Sequence, residues 1–443
     1  MNAEVVNYII RFMVNEDVAP DDLENLVGYT SDPERMKGYK IVILPSPFFK
    51  LGVYGTPASY PELPLSEFEG VPLLFGSPSV YQSDEGPLII EADLVASSFF
   101  VLSRYEEIFR RSIRDVHGRF PGKESLPYKA GFIEHPIVDE YGVILRRYMR
   151  QCGIDVKEPP RYFSHVNLTH DIDEPFAYRG FRSFLRAIVK ERKSPFEAFR
   201  LAYSDPKHDK YYTFDKFLEW NKLCREQLGI SRCDTIFFFK SNGTHKLDMP
   251  QYKLNSLRYK PLMDMVEKRE VKIGLHCSYS SSLRPERIKQ EKIKLQRSVN
   301  CITDLSRHHY LAAREPEDMI SLINSGIRHD YTMGYADVVG FRLGTCRPVR
   351  FIRPSTRVLT DLVLHPLMMM DCTFTKYMNL SEEEAEKKAK LLVRSTAQYH
   401  GELNILWHNV SLSKALHPWL CRLYRVLLRY LTAVDMQGRG EAN

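Results

Sequence analysis

No Cys-x-x-Cys pair occurs among the eight cysteines, which are scattered at positions 152, 224, 233, 277, 301, 346, 372 and 421 of the 443 residues. That pattern suits reduced thiols better than a disulfide framework, and it contains no zinc-finger spacing. No uninterrupted apolar run approaches the ~18 residues of a membrane-spanning helix. The opening segment, MNAEVVNYIIRFMVNED, has neither a basic start nor an apolar run of signal-peptide length, so a cytoplasmic location is expected. A Gly-rich phosphate loop, a Gly-x-Ser-x-Gly elbow and a His-Glu-x-x-His helix are all missing, which removes three common catalytic designs. Charge of one sign is also in short supply: 62 Lys+Arg against 56 Asp+Glu leaves only +6. With no RNA-binding signature or long basic tail, nucleic acid is not an expected partner.

What remains is an ordinary soluble composition, 44% hydrophobic and 27% charged, in a chain long enough for two or three domains. Residues 1–155 are rich in Pro, Gly and Tyr, with short strand-like pieces ("YKIVILP", "VPLLFG") and one clear helix in "EADLVASSFFVLSRYEEIFRRS". They read as a smaller α/β domain of unknown role that shapes the cleft without supplying catalytic groups. From about 160 to 443 strands and helices alternate. "VNLT", "DTIFFF" (234–239), "VKIGLH" (271–276), "RHHYL" (307–311), "IRHDYTM" (327–333) and "LNILWHN" (403–409) are predicted strands. Thr213 and Gly229 bracket one predicted helix, Pro316 and Gly326 another, and Leu380, Ser381 and Glu384 carry the staple and capping box of a third. Such alternation implies a parallel sheet, open or closed into a barrel, with active groups at the strands' carboxyl ends.

The stretch "SHVNLTHDIDEPF" (164–176) then stands out, because a strand ends in three carboxylates and an imidazole. Singly, each polar group could be a satisfied turn residue. Yet Asp171 and Asp173, His276, Arg307 and His309, Asp330, and His408 all fall at or just beyond predicted strand ends. Asp and His so arranged form a ligand set for zinc or a similar divalent ion (Co2+, Mn2+ or Ni2+). An Asp-x-Asp pair allows one carboxylate to hold metal while the other acts as base, and an imidazole can protonate a leaving group.

These residues resemble the motifs of the polysaccharide deacetylase family (carbohydrate esterase family 4), in the divergent branch with an additional N-terminal domain. "THDID" (169–173) is similar to that family's Thr-Phe-Asp-Asp with one residue inserted, "GLHCSYS" (274–280) to its second motif, "RHHY" (307–310) to Arg-Pro-Pro-Tyr, and "LWH" (406–408) to Leu-x-His. The resemblance covers about 160–415 and implies a distorted (β/α) barrel. It implies Asp171 as base, His408 as acid, Arg307 holding the base, Asp173 and His276 on the metal, and Asp330 in the place of the fourth motif's acid. The implied activity is metal-dependent removal of an acetyl group, N- or O-linked, from a carbohydrate in surface-glycan metabolism. Two departures stand: Ser280 replaces the second metal histidine, and Glu174 the glycine after the first motif. The nearest substitute ligand in barrel order is His309, on the same alternating face as Arg307. A decayed barrel acting as a glycan-binding or assembly protein, or a hydrolase of a non-sugar amide, are the alternatives.

Tyr279 and Arg342 are further expected substrate contacts, Arg342 because the arginine-rich "GFRLGTCRPVRFIRPSTR" (340–357) falls near predicted strand ends and could grip an anion bidentately. "PLMMMD" (366–371) reads as core. Residues 178–200 carry seven Lys/Arg against two Glu with apolar residues at helical spacing. They read either as a weak membrane or glycan surface or, the favoured reading, as a core-packed helix with a solvated basic face. The oligomeric state is left open.

Overall fold

Nine strands form the main sheet of the computed structural model, which describes residues 2–84, 86–178, 180–314 and 316–442. Ahead of it lies a four-stranded sheet of β1 (Val27–Tyr29), β2 (Ile41–Ile43), β3 (Gly76–Gln82) and β4 (Leu88–Ala92), in the order β1-β2-β4-β3. Helices α1 (Ala3–Val14), α2 (Leu94–Leu102) and α3 (Ile137–Gln151) pack together beside it. The single helix expected through "EADLVASSFFVLSRYEEIFRRS" is broken at Arg104, whose φ of 58° is left-handed. That turn lets the Arg104 guanidinium reach back to Glu107 at 2.6 Å.

The strands of the main sheet are β5 (His165–Ile172), β6 (Cys233–Phe239), β7 (Lys272–Cys277), β8 (Leu305–His308), β9 (His329–Asp330), β10 (Val349–Arg353), β11 (Val358–Leu364), β12 (Met369–Met370) and β13 (Glu402–Leu406). Their order is β10-β11-β9-β8-β7-β6-β5-β13-β12, with every pair parallel except β10 and β11. The edge strands β10 and β12 do not pair, so the sheet stays open. It is nonetheless strongly curled. Strands β5 and β8 are three positions apart, about 14 Å in a flat sheet. Yet Arg307 on β8 donates to Thr169 and Asp171 on β5 at 2.7 and 3.0 Å. Inside the curl the guanidinium lies over the Phe238 ring at 4.5 Å, and Phe238 meets Tyr331 at 5.6 Å. This is a half-barrel filled with side chains.

Local signals account for most elements. Between β5 and α6 an inserted hairpin forms, α4 (Phe181–Val189) and α5 (Pro195–Tyr203). Helix α6 (Phe214–Leu228) ends at Gly229, whose φ of 102° only glycine takes readily. Thr213 precedes it as expected, but its hydroxyl donates to the Asn409 carbonyl at 2.9 Å instead of capping. Helix α7 (Glu382–Gln398) opens with the Ser381/Glu384 capping box, and α8 (Pro418–Ala442) closes the chain. Three predicted strands come out shorter, and "LNILWHN" is one of them, ending at Leu406. "RHHYL" stops being extended at His308, because Tyr310 and Leu311 take positive φ values of 60° and 53°. "IRHDYTM" keeps only His329–Asp330.

No gap in packing marks the boundary near residue 155. One apolar core runs from Val5, Phe99 and Tyr141 through Leu364 to Leu431. The arginine-rich segment after residue 340 fastens the two halves. Arg342 grips Glu107 through both nitrogens at 2.9 and 2.8 Å, and Asp139 receives Thr345 and Arg347. Burial opposes charge on Glu107, but Arg104 and Arg342 overcome it and hold the carboxyl far below its ordinary value. Truncating one partner of such a buried pair costs ~3–5 kcal/mol.

Candidate active site

Alternation along β5 decides what faces the interior. Thr169, Asp171 and, beyond the strand end, Asp173 point into the curl, while His170 points outward. His170 is sealed under helices, its Nδ1 on the Trp407 carbonyl at 2.8 Å and its ring against Phe217 at 4.4 Å. Asp171 is buried and fixed by Arg307, whose Nε also donates to the Tyr331 carbonyl at 3.0 Å.

Asp173, His276 and His309 converge. Asp173 Oδ1 lies 3.3 Å from His276 Nε2 and 3.2 Å from His309 Nε2, and one ligand atom from each residue falls within 4.8 Å of the others. The His276 Nδ1 faces the Arg307 carbonyl at 3.0 Å, which aims its Nε2 at Asp173. Asp173 Oδ1 and His276 Nε2 are both buried without a hydrogen-bond partner. Burial disfavours charge on Asp173, yet His309 and His276 hold its carboxyl well below the usual range. Two imidazoles and a carboxylate with orphaned, converging atoms fit a zinc-like divalent ion.

Ser280 is not part of this group. Its hydroxyl donates to Asp248 at 2.6 Å and accepts the backbone N–H groups of Thr244 and His245 at 2.8 and 2.9 Å. Asp248 also accepts the Tyr279 amide at 2.6 Å and stands 3.5 Å from His309 Nδ1. Burial raises the Asp248 carboxyl, but His309 and Ser280 outweigh it and bring it down to about 2. Thus Ser280 and Asp248 buttress His309 from behind. Nothing in "THKLDMP" signalled Asp248, since its role depends on a loop folding back over β7.

His408, just past β13, faces the group from the other side, its Nε2 3.8 Å from Asp173 Oδ2. Its Nδ1 donates to Asp371 Oδ1 at 2.8 Å, and its backbone N–H to Asp371 Oδ2 at 2.9 Å. Burial disfavours the imidazolium, but Asp371 and Cys372 lift His408 well above its ordinary value. Asp371 ends "PLMMMD"; its methionines are core as expected, but the closing acid belongs to the site. The available signal was an acid at the end of an apolar strand next to β13. Because the raised value depends on Asp371, Asp371→Asn should move the alkaline limb of turnover to lower pH, read from a pH–rate profile. An unmoved limb would separate His408 from the rate.

Other expected site residues are elsewhere. Asp330 is fully buried, accepting from Ser306 Oγ at 2.8 Å and Thr332 Oγ1 at 2.9 Å, so the acid beside His408 is Asp371. Arg342 meets Glu107 and not the site. Tyr279 is buried behind Tyr310, stacked on His245 at 4.7 Å and edge-on to Tyr310 at 5.7 Å, and is not part of the cavity lining. The cavity over the site measures about 340 Å³ and includes Asp171, Asp173, His309 and His408 with the rings of Tyr310 and Tyr377. From the N-terminal half Arg119 reaches it, donating to the Tyr310 carbonyl at 2.7 Å. A larger cleft of about 740 Å³, lined by Lys253, Lys294 and Arg297, holds none of the converging acids or imidazoles.

Residues 4–153 match a family of unknown function (DUF7033). No curated protein matches the chain. Among solved structures, it is similar to a "putative polysaccharide deacetylase" from Mycobacterium smegmatis at 12% identity and a TM-score of 0.39, covering 63% of this chain and 87% of the other. It is also similar to a "putative glycoside hydrolase/deacetylase" from Parabacteroides distasonis at 9% identity and a TM-score of 0.31, covering 63% and 69%. Likeness at these scores decides nothing about chemistry, which the residues themselves have to carry.

Proposed function

We propose that the protein is a metal-dependent hydrolase that removes an acetyl group, N- or O-linked, from a carbohydrate. The observation that carries the reading is one cavity lined by Asp171, Asp173, His309 and His408, with Arg307, His276 and Asp371 buried behind them as their partners. Asp173, His276 and His309 would hold the ion, Zn2+ or Co2+, Mn2+ or Ni2+. When bound, such an ion polarises the carbonyl under attack and the water that attacks it. Asp171 takes the proton of that water: Arg307 donates to its Oδ1, while Oδ2 faces the cluster, 3.6 Å from His276 Nε2. His408 delivers a proton from Nε2 to the departing nitrogen or oxygen, and Asp371 keeps Nδ1 protonated and the ring oriented. The carbohydrate part of the reading rests on the motif resemblance and on the aromatic residues Tyr310 and Tyr377 in the cavity lining. The test is metal analysis of the purified protein, followed by acetate release from a panel of acetylated glycans and nucleotide sugars. Stoichiometric metal with acetate release supports the reading. A chain that neither retains metal nor releases acetate is a binding module instead, and one that cleaves only non-sugar amides is a different hydrolase.

A further inference from the structure

The hairpin of α4 and α5 has two apolar sides, and only one of them is covered. Phe184, Ala187 and Ile188 on α4 pack with Ala198 and Leu201 on α5 in a small core completed by Ala177, Tyr178 and Tyr211. The opposite stripes, Phe181, Leu185 and Val189 (spacing i, i+4, i+8) and Phe196, Phe199 and Tyr203 (i, i+3, i+7), face outward. Their exposures are 62, 43 and 77% and 79, 58 and 49%. These three phenylalanines are the only exposed ones among the described residues. The favoured sequence reading, a core-packed helix with a merely solvated basic face, therefore covers only the inner stripe.

Charge tells what fits the outer one. Residues 178–203 carry seven Lys/Arg and two Glu. Lys190, Arg192 and Arg200 are exposed on the same hairpin as the apolar stripes. Aromatic and aliphatic side chains presented beside cations match the boundary between acyl chains and anionic headgroups. A continuous protein partner would need complementary acids, whereas a bilayer supplies both halves of the match at once. We propose that this hairpin docks the protein on an anionic phospholipid bilayer, with the outer rings in the interface and the cations on the headgroups.

The position of the hairpin gives docking a consequence. It is inserted between Glu174 and Tyr211, which both line the site cavity. Asn409 bridges the two ends, donating to the Glu174 and Tyr211 carbonyls at 3.0 and 3.1 Å. Asp209 accepts the amides of Ala177 and Tyr178 at 2.9 and 2.8 Å, anchoring the hairpin base. A docked hairpin would thus hold the cavity beside the headgroups, where an amphiphilic substrate could enter it. That clause rests on the hydrolase reading; docking does not.

Sedimentation of the full chain with vesicles tests docking alone. The wild type should bind vesicles of equimolar phosphatidylcholine and phosphatidylglycerol, bind phosphatidylcholine alone far less, and be released by high salt. The Phe181→Ser/Phe196→Ser/Phe199→Ser variant and, separately, Lys190→Glu/Arg200→Glu should each lower the partition on the order of 10-fold or more. Circular dichroism and metal content should match the wild type, and the charge variant serves if the triple variant misfolds. Failure of the wild type to bind anionic vesicles overturns the proposal, as does binding that neither variant weakens. A wild-type dimer that the triple variant converts to monomer, with no vesicle binding, would assign the face to a second copy of the chain.

Discussion

Asp171→Asn is expected to lower turnover on the order of 10²-fold or more, with metal content close to wild type and the fold retained at lower stability, because the buried Arg307 loses its counter-charge. Asparagine keeps the volume and an oxygen for Arg307, so the fold survives the loss of the charge. What disappears is a carboxylate able to take a proton. His408→Ala should cost a similar factor, because it removes the imidazole whose Nε2 faces Asp173 from the β13 side. Arg307 acts through Asp171: its guanidinium sits on Phe238 and donates to Asp171, Thr169 and the Tyr331 carbonyl together. A lysine would keep the charge but not that fork. Single-turnover rates with wild-type and variant proteins of equal metal content make the comparison. Near-wild-type turnover in Asp171→Asn would remove that residue from the chemistry.

The second large effect is on metal. His309→Ala should purify with little metal and little activity, whereas Ser280→Ala should keep the metal and most of the activity. The difference follows from geometry. His309 Nε2 is 3.2 Å from Asp173 Oδ1, inside the cluster, while the Ser280 hydroxyl is already committed to Asp248 and two backbone amides. Removing that hydroxyl reaches His309 only through Asp248, one contact further out than the direct supports of a ligand, whose loss typically costs about 10- to 100-fold. Zinc content by atomic absorption after dialysis distinguishes the two variants. Retained metal in His309→Ala together with loss in Ser280→Ala would reverse the assignment.

Much of this was legible along the chain, for identifiable reasons. Hydrogen bonds that close locally, such as the Ser381/Glu384 capping box and the Gly229 terminus, need only neighbours in sequence. Strand alternation put Asp171 and Asp173 on one face and His170 on the other, because a period of two needs no tertiary information. His309 was reached by the same logic, although the strand ends one residue earlier and a turn, not the pleat, delivers its ring.

Asp371, Asp248 and the true partner of Arg342 were beyond that reach. Asp371 supports His408 only because β12 lies against β13, and Asp248 supports His309 only because its loop returns over β7. Arg342 looked like a ligand for an external anion; the anion is Glu107, 235 residues away in sequence. The outward stripes of the 181–203 hairpin share their spacing with the inward ones, so periodicity alone could not say which would be covered. The sequence by itself determined the alternating elements, the inward face of β5 and the residue types able to hold a metal, because these depend on backbone period and side-chain chemistry. Tertiary structure alone decided which acids back which histidines, which arginine is spent on the chain's own carboxylate and which apolar face stays bare, because those depend on contacts between segments that no local pattern encodes.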